Sequence, residues 1–272
     1  MQLTEQFEWQ GRSIAYGRAG TGPDVVFCHG TPFSSRVWSA YADALTADFT
    51  VHLWDMPGYG QSSKLPEHAV DFGVQAKAFA ALLEHWRLDR PHVVAHDFGG
   101  AVSLRATLEE QAAYASLLLV DVVAIPPSGS PFFRFVQNHP TTLDELPGYV
   151  HKAILDTYIQ NASHRGLRAD ELEELAAPWT GEVGQPAFYR QIAAFDEQFL
   201  VDNEQNLGRL SLPVQVVWGT EDAWIPVRTG RRLAGLIPGA RFVEVPDAGH
   251  LMQYDAPVAL SNLIRGWLSA QA

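Results

Sequence analysis

The chain has 272 residues, 47% apolar and 18% charged, and its 31 acidic against 19 basic side chains give a formal net charge of -12 at pH 7. That length suits one α/β domain of roughly 200 residues plus a smaller insertion, and the composition excludes a disordered or fibrous chain. The acidic balance repels phosphate backbones and anionic lipid surfaces, which argues against nucleic acid as a partner, while a single cysteine, Cys28, excludes an internal disulfide.

Residues 7–16 read as an opening hairpin that turns at Gln10-Gly11. Short apolar, β-branched runs at 24–28, 50–54, 92–96, 117–121, 214–218 and 241–245 read as strands. Helical patterns fall between or after them at 36–47, 70–87, 99–112, 228–236 and 257–269, each long enough for a parallel crossover. The alternation predicts a mostly parallel sheet covered on both faces. From Pro126 to Asn206 the strand rhythm stops, and 143–160, 169–177 and 188–201 read as helices of an inserted cap. Turn-rich Pro126-Pro127-Ser128-Gly129 and Asn206-Leu207-Gly208 mark its entry and exit. The expected division is a core domain in two parts, 1–124 and 207–272, with a helical cap at 125–206. No run approaches the ~18 apolar residues of a membrane helix, and the start Met-Gln-Leu-Thr-Glu lacks a basic segment followed by an apolar one, so a cytoplasmic location is expected.

The 92–96 strand runs into His96-Asp97-Phe98-Gly99-Gly100, where small Ala95, Gly99 and Gly100 permit a sharp strand-to-helix elbow that holds Asp97 over the sheet. Aspartate also caps helices well, so this position alone leaves nucleophile and cap level. The remaining constellation separates them. His29-Gly30-Thr31-Pro32 follows the 24–28 strand, Asp222 follows the 214–218 strand, and Gly249-His250 follows the last strand. The chain order is nucleophile, acid, histidine.

With these motifs and Asp55-Met56-Pro57-Gly58-Tyr59-Gly60-Gln61-Ser62, the sequence resembles the α/β-hydrolase superfamily over nearly its whole length. The His-Gly-x-Pro loop with a His-Asp-x-Gly-Gly elbow is similar to the branch of epoxide hydrolases, haloalkane dehalogenases and fluoroacetate dehalogenases, whose members use an aspartate nucleophile. The resemblance implies an α/β-hydrolase fold: a mostly parallel eight-stranded sheet flanked by helices, with an inserted helical cap and no cofactor. An aspartate there has a chemical reason. A serine alkoxide attacking an sp3 carbon leaves an ether, whereas a carboxylate leaves an ester that water can cleave. His250 is expected to activate that water, oriented by Asp222 or, alternatively, Asp121. Backbone N–H groups of Thr31 and Phe98 are the expected oxyanion donors. His29 and His96 are expected to support loop backbone, and no histidine spacing suggests a metal.

Opening an epoxide also needs an acid for the emerging alkoxide, and family members use cap tyrosines. Ala187-Phe188-Tyr189-Arg190-Gln191 resembles their Tyr-Arg element, which makes Tyr189 the leading donor, with Tyr149 or Tyr158 as the second. Haloalkane dehalogenases commonly hold halide with an indole after the nucleophile and an asparagine after His-Gly. Phe98 and Thr31 stand there instead, and a phenyl ring is no strong donor. The arginine pair that grips carboxylate in fluoroacetate dehalogenases is replaced by Phe98 and Ala101, leaving Arg134, Arg165 or Arg190 to compensate. Phe33, Phe98, Phe132, Phe133 and Trp224 are expected to line an apolar pocket. The expected activity is epoxide hydrolase-like, on a small apolar organic substrate with water. A dehalogenase and a ligand-binding protein with little catalysis are the alternatives, and a homodimer is left open.

Overall fold

The β-branched runs pair into one sheet. The computed structural model describes residues 1–139 and 142–271. Its strands are β1 (Glu5–Trp9), β2 (Arg12–Gly20), β3 (Asp24–Cys28), β4 (Thr50–Trp54), β5 (His92–His96), β6 (Ser116–Val120), β7 (Val214–Gly219) and β8 (Arg241–Val245). They lie in the order β1-β2-β4-β3-β5-β6-β7-β8. Only β2 runs against its neighbours, and every other pair is parallel. Each residue of β5, β6 and β7 is buried, as expected for central strands covered on both faces.

Six helices belong to the sheet: α1 (Ser39–Leu45), α2 (Phe72–Trp86), α3 (Phe98–Leu108), α9 (Val227–Leu236), α10 (Met252–Asp255) and α11 (Pro257–Ser269). The chain fixes their starts with local chemistry; Asp71, for example, accepts the N–H groups of Gly73 and Val74 at the head of α2. The expected 36–47 helix is divided, with a 3-10 turn over Ser35–Trp38 preceding α1.

Between β6 and β7 the insertion carries α4 (Pro131–Asn138), α5 (Gly148–Gln160), α6 (Ala169–Ala176), α7 (Gly181–Ala193) and α8 (Gln198–Asn206). These helices differ from the ones the sequence pattern predicts. α4 starts inside the Pro/Ser/Gly-rich entry, with Ser130 capping Phe133 N–H and Pro131 filling the first turn, where proline costs no hydrogen bond. The expected 188–201 helix is two helices that break between Ala193 and Gln198. Gly181, Gly184 and Pro186 hide the start of α7, because all three weaken a helical pattern. Among the described residues no helix is long and apolar enough to cross a membrane.

The strand order determines where a site can form. The chain leaves β3 to one side for β4 and returns on its other side as β5, so a crevice opens at the carboxyl ends of β3 and β5. Thr31 follows β3, Asp97 follows β5, and Asp121, Asp222 and His250 follow β6, β7 and β8.

Candidate active site

β5 ends at His96 and α3 starts at Phe98, so residue 97 makes the whole turn. Asp97 has φ 49° and ψ -121°, a conformation that costs an ordinary residue about 1–3 kcal/mol. Its side chain makes no hydrogen bond to the head of α3, so it does not act as a helix cap. The turn closes because its neighbours lack side chains: a Cβ on Gly99 would lie 2.6 Å from the Cys28 and His29 carbonyl oxygens, and one on Gly30 would lie 2.2 Å from Asp97 Cβ.

The Asp97 carboxylate is 2% exposed. Its Oδ1 accepts the Thr31 backbone N–H at 2.6 Å, and its Oδ2 lies 3.3 Å from His250 Nε2. The expected oxyanion donor Thr31 thus already holds one oxygen of the resting carboxylate. Phe98 opens α3, so its N–H is among those a helix leaves without an internal partner.

On the far side of the imidazole, His250 Nδ1 donates to Asp222 Oδ2 at 2.9 Å. Asp222 Oδ1 accepts the N–H groups of Trp224 and Ile225, each at 2.8 Å, which fixes the carboxylate and therefore the ring. Burial disfavours the His250 imidazolium, but the Asp222 and Asp97 carboxylates outweigh it and hold its pKa well above the ordinary value.

Asp121 is the acid that does not reach the histidine. It is fully buried, and its Oδ1 accepts Gly219 N–H at 2.8 Å. Burial and then the neighbouring Asp222 charge push its carboxyl well above the ordinary range. The reading of Asp121 as the orienting acid is therefore corrected: its one hydrogen bond is to β7 backbone, not to His250.

His29 and His96 hold the surrounding loops. His29 Nδ1 donates to the Gly30 carbonyl at 3.0 Å and its Nε2 accepts Met56 N–H at 2.9 Å. His96 Nε2 donates to the His250 carbonyl at 2.9 Å, with the two rings 4.8 Å apart. Burial and then the neighbouring His250 push the pKa of His96 down to about 3, so it stays neutral.

A cavity of about 250 Å³ opens above Asp97, walled by Phe98, Val123, Phe133, Tyr158, Trp224 and Ile225 among others. Trp224 stacks on His250 with centroids 4.8 Å apart and on Tyr158 at 4.5 Å. Tyr158 lines the cavity, and burial and then the Asp97 charge push its phenol well above the ordinary pKa, so it is neutral. It has no hydrogen-bond partner among the described residues.

Four residues expected at the cavity lie elsewhere. Tyr189 is fully buried, and its hydroxyl donates to His151 Nδ1 at 2.9 Å while His151 Nε2 donates to the Trp179 carbonyl at 2.8 Å. Its proton is committed inside the insertion, and it is absent from the cavity wall. Tyr149 is 80% exposed. It precedes Tyr158 on α5 by nine residues, about two and a half turns, so the two rings point to opposite sides of the helix. Phe33 is buried behind Trp224, ring centroids 6.2 Å apart, rather than on the wall. Phe132 likewise packs behind Tyr158 at 5.1 Å. The Trp179 indole N–H is taken by the Pro32 carbonyl.

Two supporting groups carried no motif. Gln191 Oε1 accepts both the Thr31 hydroxyl and, at 3.0 Å, the Tyr59 hydroxyl, which fixes the Thr31 side chain. Asp255 accepts Gly249 N–H and His164 N–H, each at 2.8 Å, and the Ser163 hydroxyl at 2.5 Å. It ties the insertion to the turn that presents His250. Neither link has a local signal, because Thr31 and Tyr59 lie far from Gln191 in the chain, as Ser163 and His164 do from Asp255.

Comparison with known proteins agrees with this architecture. The profile of the alpha/beta hydrolase fold family matches residues 23–257. An alpha/beta hydrolase fold protein from Burkholderia ambifaria is 43% identical, with a TM-score of 0.94 and 97% of each chain covered. The bifunctional epoxide hydrolase 2 of Sus scrofa is 24% identical over 96% of this chain and 54% of its own length. The haloalkane dehalogenase DbeA of Bradyrhizobium elkani has the same fold, at 21% identity, a TM-score of 0.79, and coverage of 98% of this chain and 97% of its own.

Proposed function

The chain belongs to the alpha/beta hydrolase fold family, and from that membership we propose a hydrolase that attacks a saturated carbon through an alkyl ester on Asp97, opening an epoxide to a diol. The observation that carries this reading is the setting of the Asp97 carboxylate. One oxygen rests on Thr31 N–H, the other faces His250, and the cavity above is lined by Tyr158, whose hydroxyl has no protein partner among the described residues.

In the first step an Asp97 oxygen bonds to an epoxide carbon as the ring C–O bond breaks. The departing oxygen takes the Tyr158 proton, which leaves a phenolate. Alkylation removes the charge of Asp97, one of the two carboxylates that hold the extra proton on His250, so that proton is released to solvent, to be regained when the Asp97 charge returns, and the neutral imidazole is left free to accept one from water. Water then gives a proton to His250 and adds to the ester carbonyl, and the tetrahedral oxyanion is received by the N–H groups of Thr31 and Phe98. Collapse expels the diol oxygen, which takes the proton back from His250, and the new Asp97 carboxyl returns a proton to Tyr158. The balance is epoxide plus water to diol.

The 24% identity to the pig epoxide hydrolase supports this reading at the level of the whole chain. A dehalogenase is the second reading, and Trp224 favours it: the residue lines the cavity beside Tyr158, and its indole N–H has no protein partner among the described residues. Matched panels of alkyl epoxides and alkyl halides separate the two. Diol formation without halide release is expected, and halide release with no epoxide turnover overturns the epoxide assignment.

A further inference from the structure

Arg134 is the only cationic side chain among the residues that wall the cavity. It stands in the first turn of α4, and its Nη1 donates to the Gly129 carbonyl at 3.0 Å, which holds the guanidinium at the cavity rim. That bond leaves the Nε–Nη2 edge open, and this edge presents the two parallel donors that match a carboxylate. Three other cations of the insertion pair with carboxylates, Lys152 with Asp156, Arg165 with Glu171 and Arg168 with Asp170, while Arg190 lies off this cavity and donates to the Lys64 carbonyl. Arg134 has no carboxylate at ion-pair distance among the described residues. In a chain with 31 acidic and 19 basic residues, an uncommitted arginine on the wall above a buried aspartate meets no evident need of the fold.

The rest of the wall is graded in the same direction. Asp97 is buried at the base, among Phe98, Val123, Phe133 and Trp224, whereas Arg134 is exposed at the opening. Ser128 and Thr229 also line the cavity, and their hydroxyls have no protein partner among the described residues. A negatively charged group beside the Asp97 carboxylate would be repelled, and the repulsion weakens with distance. An anionic substrate can therefore bind only with its charge at the outer end.

We propose that the substrate is a short amphiphile, with its reactive carbon at an apolar end and a carboxylate at the other, and that Arg134 grips the carboxylate while the carbon lies at Asp97. At about 250 Å³ the cavity falls just below the usual range of roughly 300–1,000 Å³ for small-molecule sites, which limits the chain between the two ends to a few carbons. The reactive end of this inference rests on the Asp97 reading. Recognition of the carboxylate does not.

The test uses the intact protein and two unreactive probes of equal length, hexanoate and hexanamide, titrated by calorimetry into wild type, Arg134→Gln and Arg134→Lys. Hexanoate is expected to bind wild type roughly 3–10-fold more tightly than hexanamide, the range between an exposed ion pair and a charge-assisted hydrogen bond. The preference should vanish in Arg134→Gln, persist in part in Arg134→Lys, and shrink as salt is raised. In turnover, Arg134→Gln should raise KM for a carboxylate-bearing epoxide by the same factor relative to KM for the neutral amide analogue, a split that a merely structural loss would not produce. Equal affinity for acid and amide in wild type, no hexanoate binding, or a preference that survives Arg134→Gln overturns the proposal. A hexanoate preference without turnover of either epoxide leaves Arg134 in place and removes the Asp97 chemistry instead.

Discussion

Substituting asparagine separately at Asp222 and Asp121 distinguishes an acid that orients the histidine from one that is merely close. In Asp222→Asn the N–H groups of Trp224 and Ile225 keep the amide oxygen where Oδ1 lies, so the amide NH2 faces His250 Nδ1. That contact favours the tautomer with its proton on Nε2, which cannot accept a proton from water. A wrong tautomer of this kind costs about 10⁴ in turnover, roughly 5.5 kcal/mol of barrier. Asp121→Asn keeps an acceptor for Gly219 N–H and leaves the Asp222–His250 pair intact, so its rate should stay within about 3-fold of wild type. Its effect belongs to stability. The folded chain holds the Asp121 proton well above the pH at which the unfolded chain releases it, near 3.9, so the native state binds more protons between those two values. Stability of wild type therefore falls as pH rises through that window, by up to about 1.4 kcal/mol per pH unit from this residue. Asp121→Asn lacks that loss and should gain in melting temperature relative to wild type as pH is raised above about 4. Single-turnover decay of the ester and thermal melts at three pH values measure both effects. Near-wild-type turnover in Asp222→Asn, or an equal loss in Asp121→Asn, refutes the assignment.

Tyr158→Phe should lower kcat on epoxides by about 10²–10⁴, whereas Tyr189→Phe should leave kcat within a few-fold and cost about 1–3 kcal/mol in urea melts, because His151 loses its donor. A similar loss of kcat in both variants would contradict the separation. The pKa of His250, read by NMR in the resting protein, should lie above the pH midpoint for ester hydrolysis in single turnover, because alkylation removes the Asp97 charge. Raising pH through that midpoint should speed hydrolysis, and coincident values would show that Asp97 does not tune the base. Gly30→Ala should abolish measurable turnover while the protein still folds, because its Cβ meets Asp97 at 2.2 Å; Gly235→Ala, on α9 with nothing within 4 Å, should instead stabilise by about 0.5–1 kcal/mol.

The elbow was legible because it is written locally: small residues around Asp97 are a requirement of the turn itself, and Asp222 and His250 follow strands whose apolar runs stand out. The insertion was less legible for physical reasons. Tyr149 and Tyr158 occupy one helix with similar neighbours, and only the direction in which α5 packs decides which ring meets Asp97. Tyr189 looked free because nothing adjacent marks His151, 38 residues earlier, as the acceptor of its proton. Gly181, Gly184 and Pro186 concealed a helix that exists because tertiary packing overrides their weak propensity. Asp121 and Asp222 end neighbouring strands, so their residue types could not separate them. Their hydrogen bonds do, one to Gly219 and the other to His250.

Intact-mass and peptide analysis of His250→Gln after incubation with an epoxide tests the nucleophile most directly. Without the base that cleaves the ester, the protein is predicted to gain the full mass of one epoxide on the peptide containing Asp97, and Asp97→Asn in the same background should gain nothing. An unmodified Asp97 peptide, under conditions in which wild type forms diol, would contradict the account.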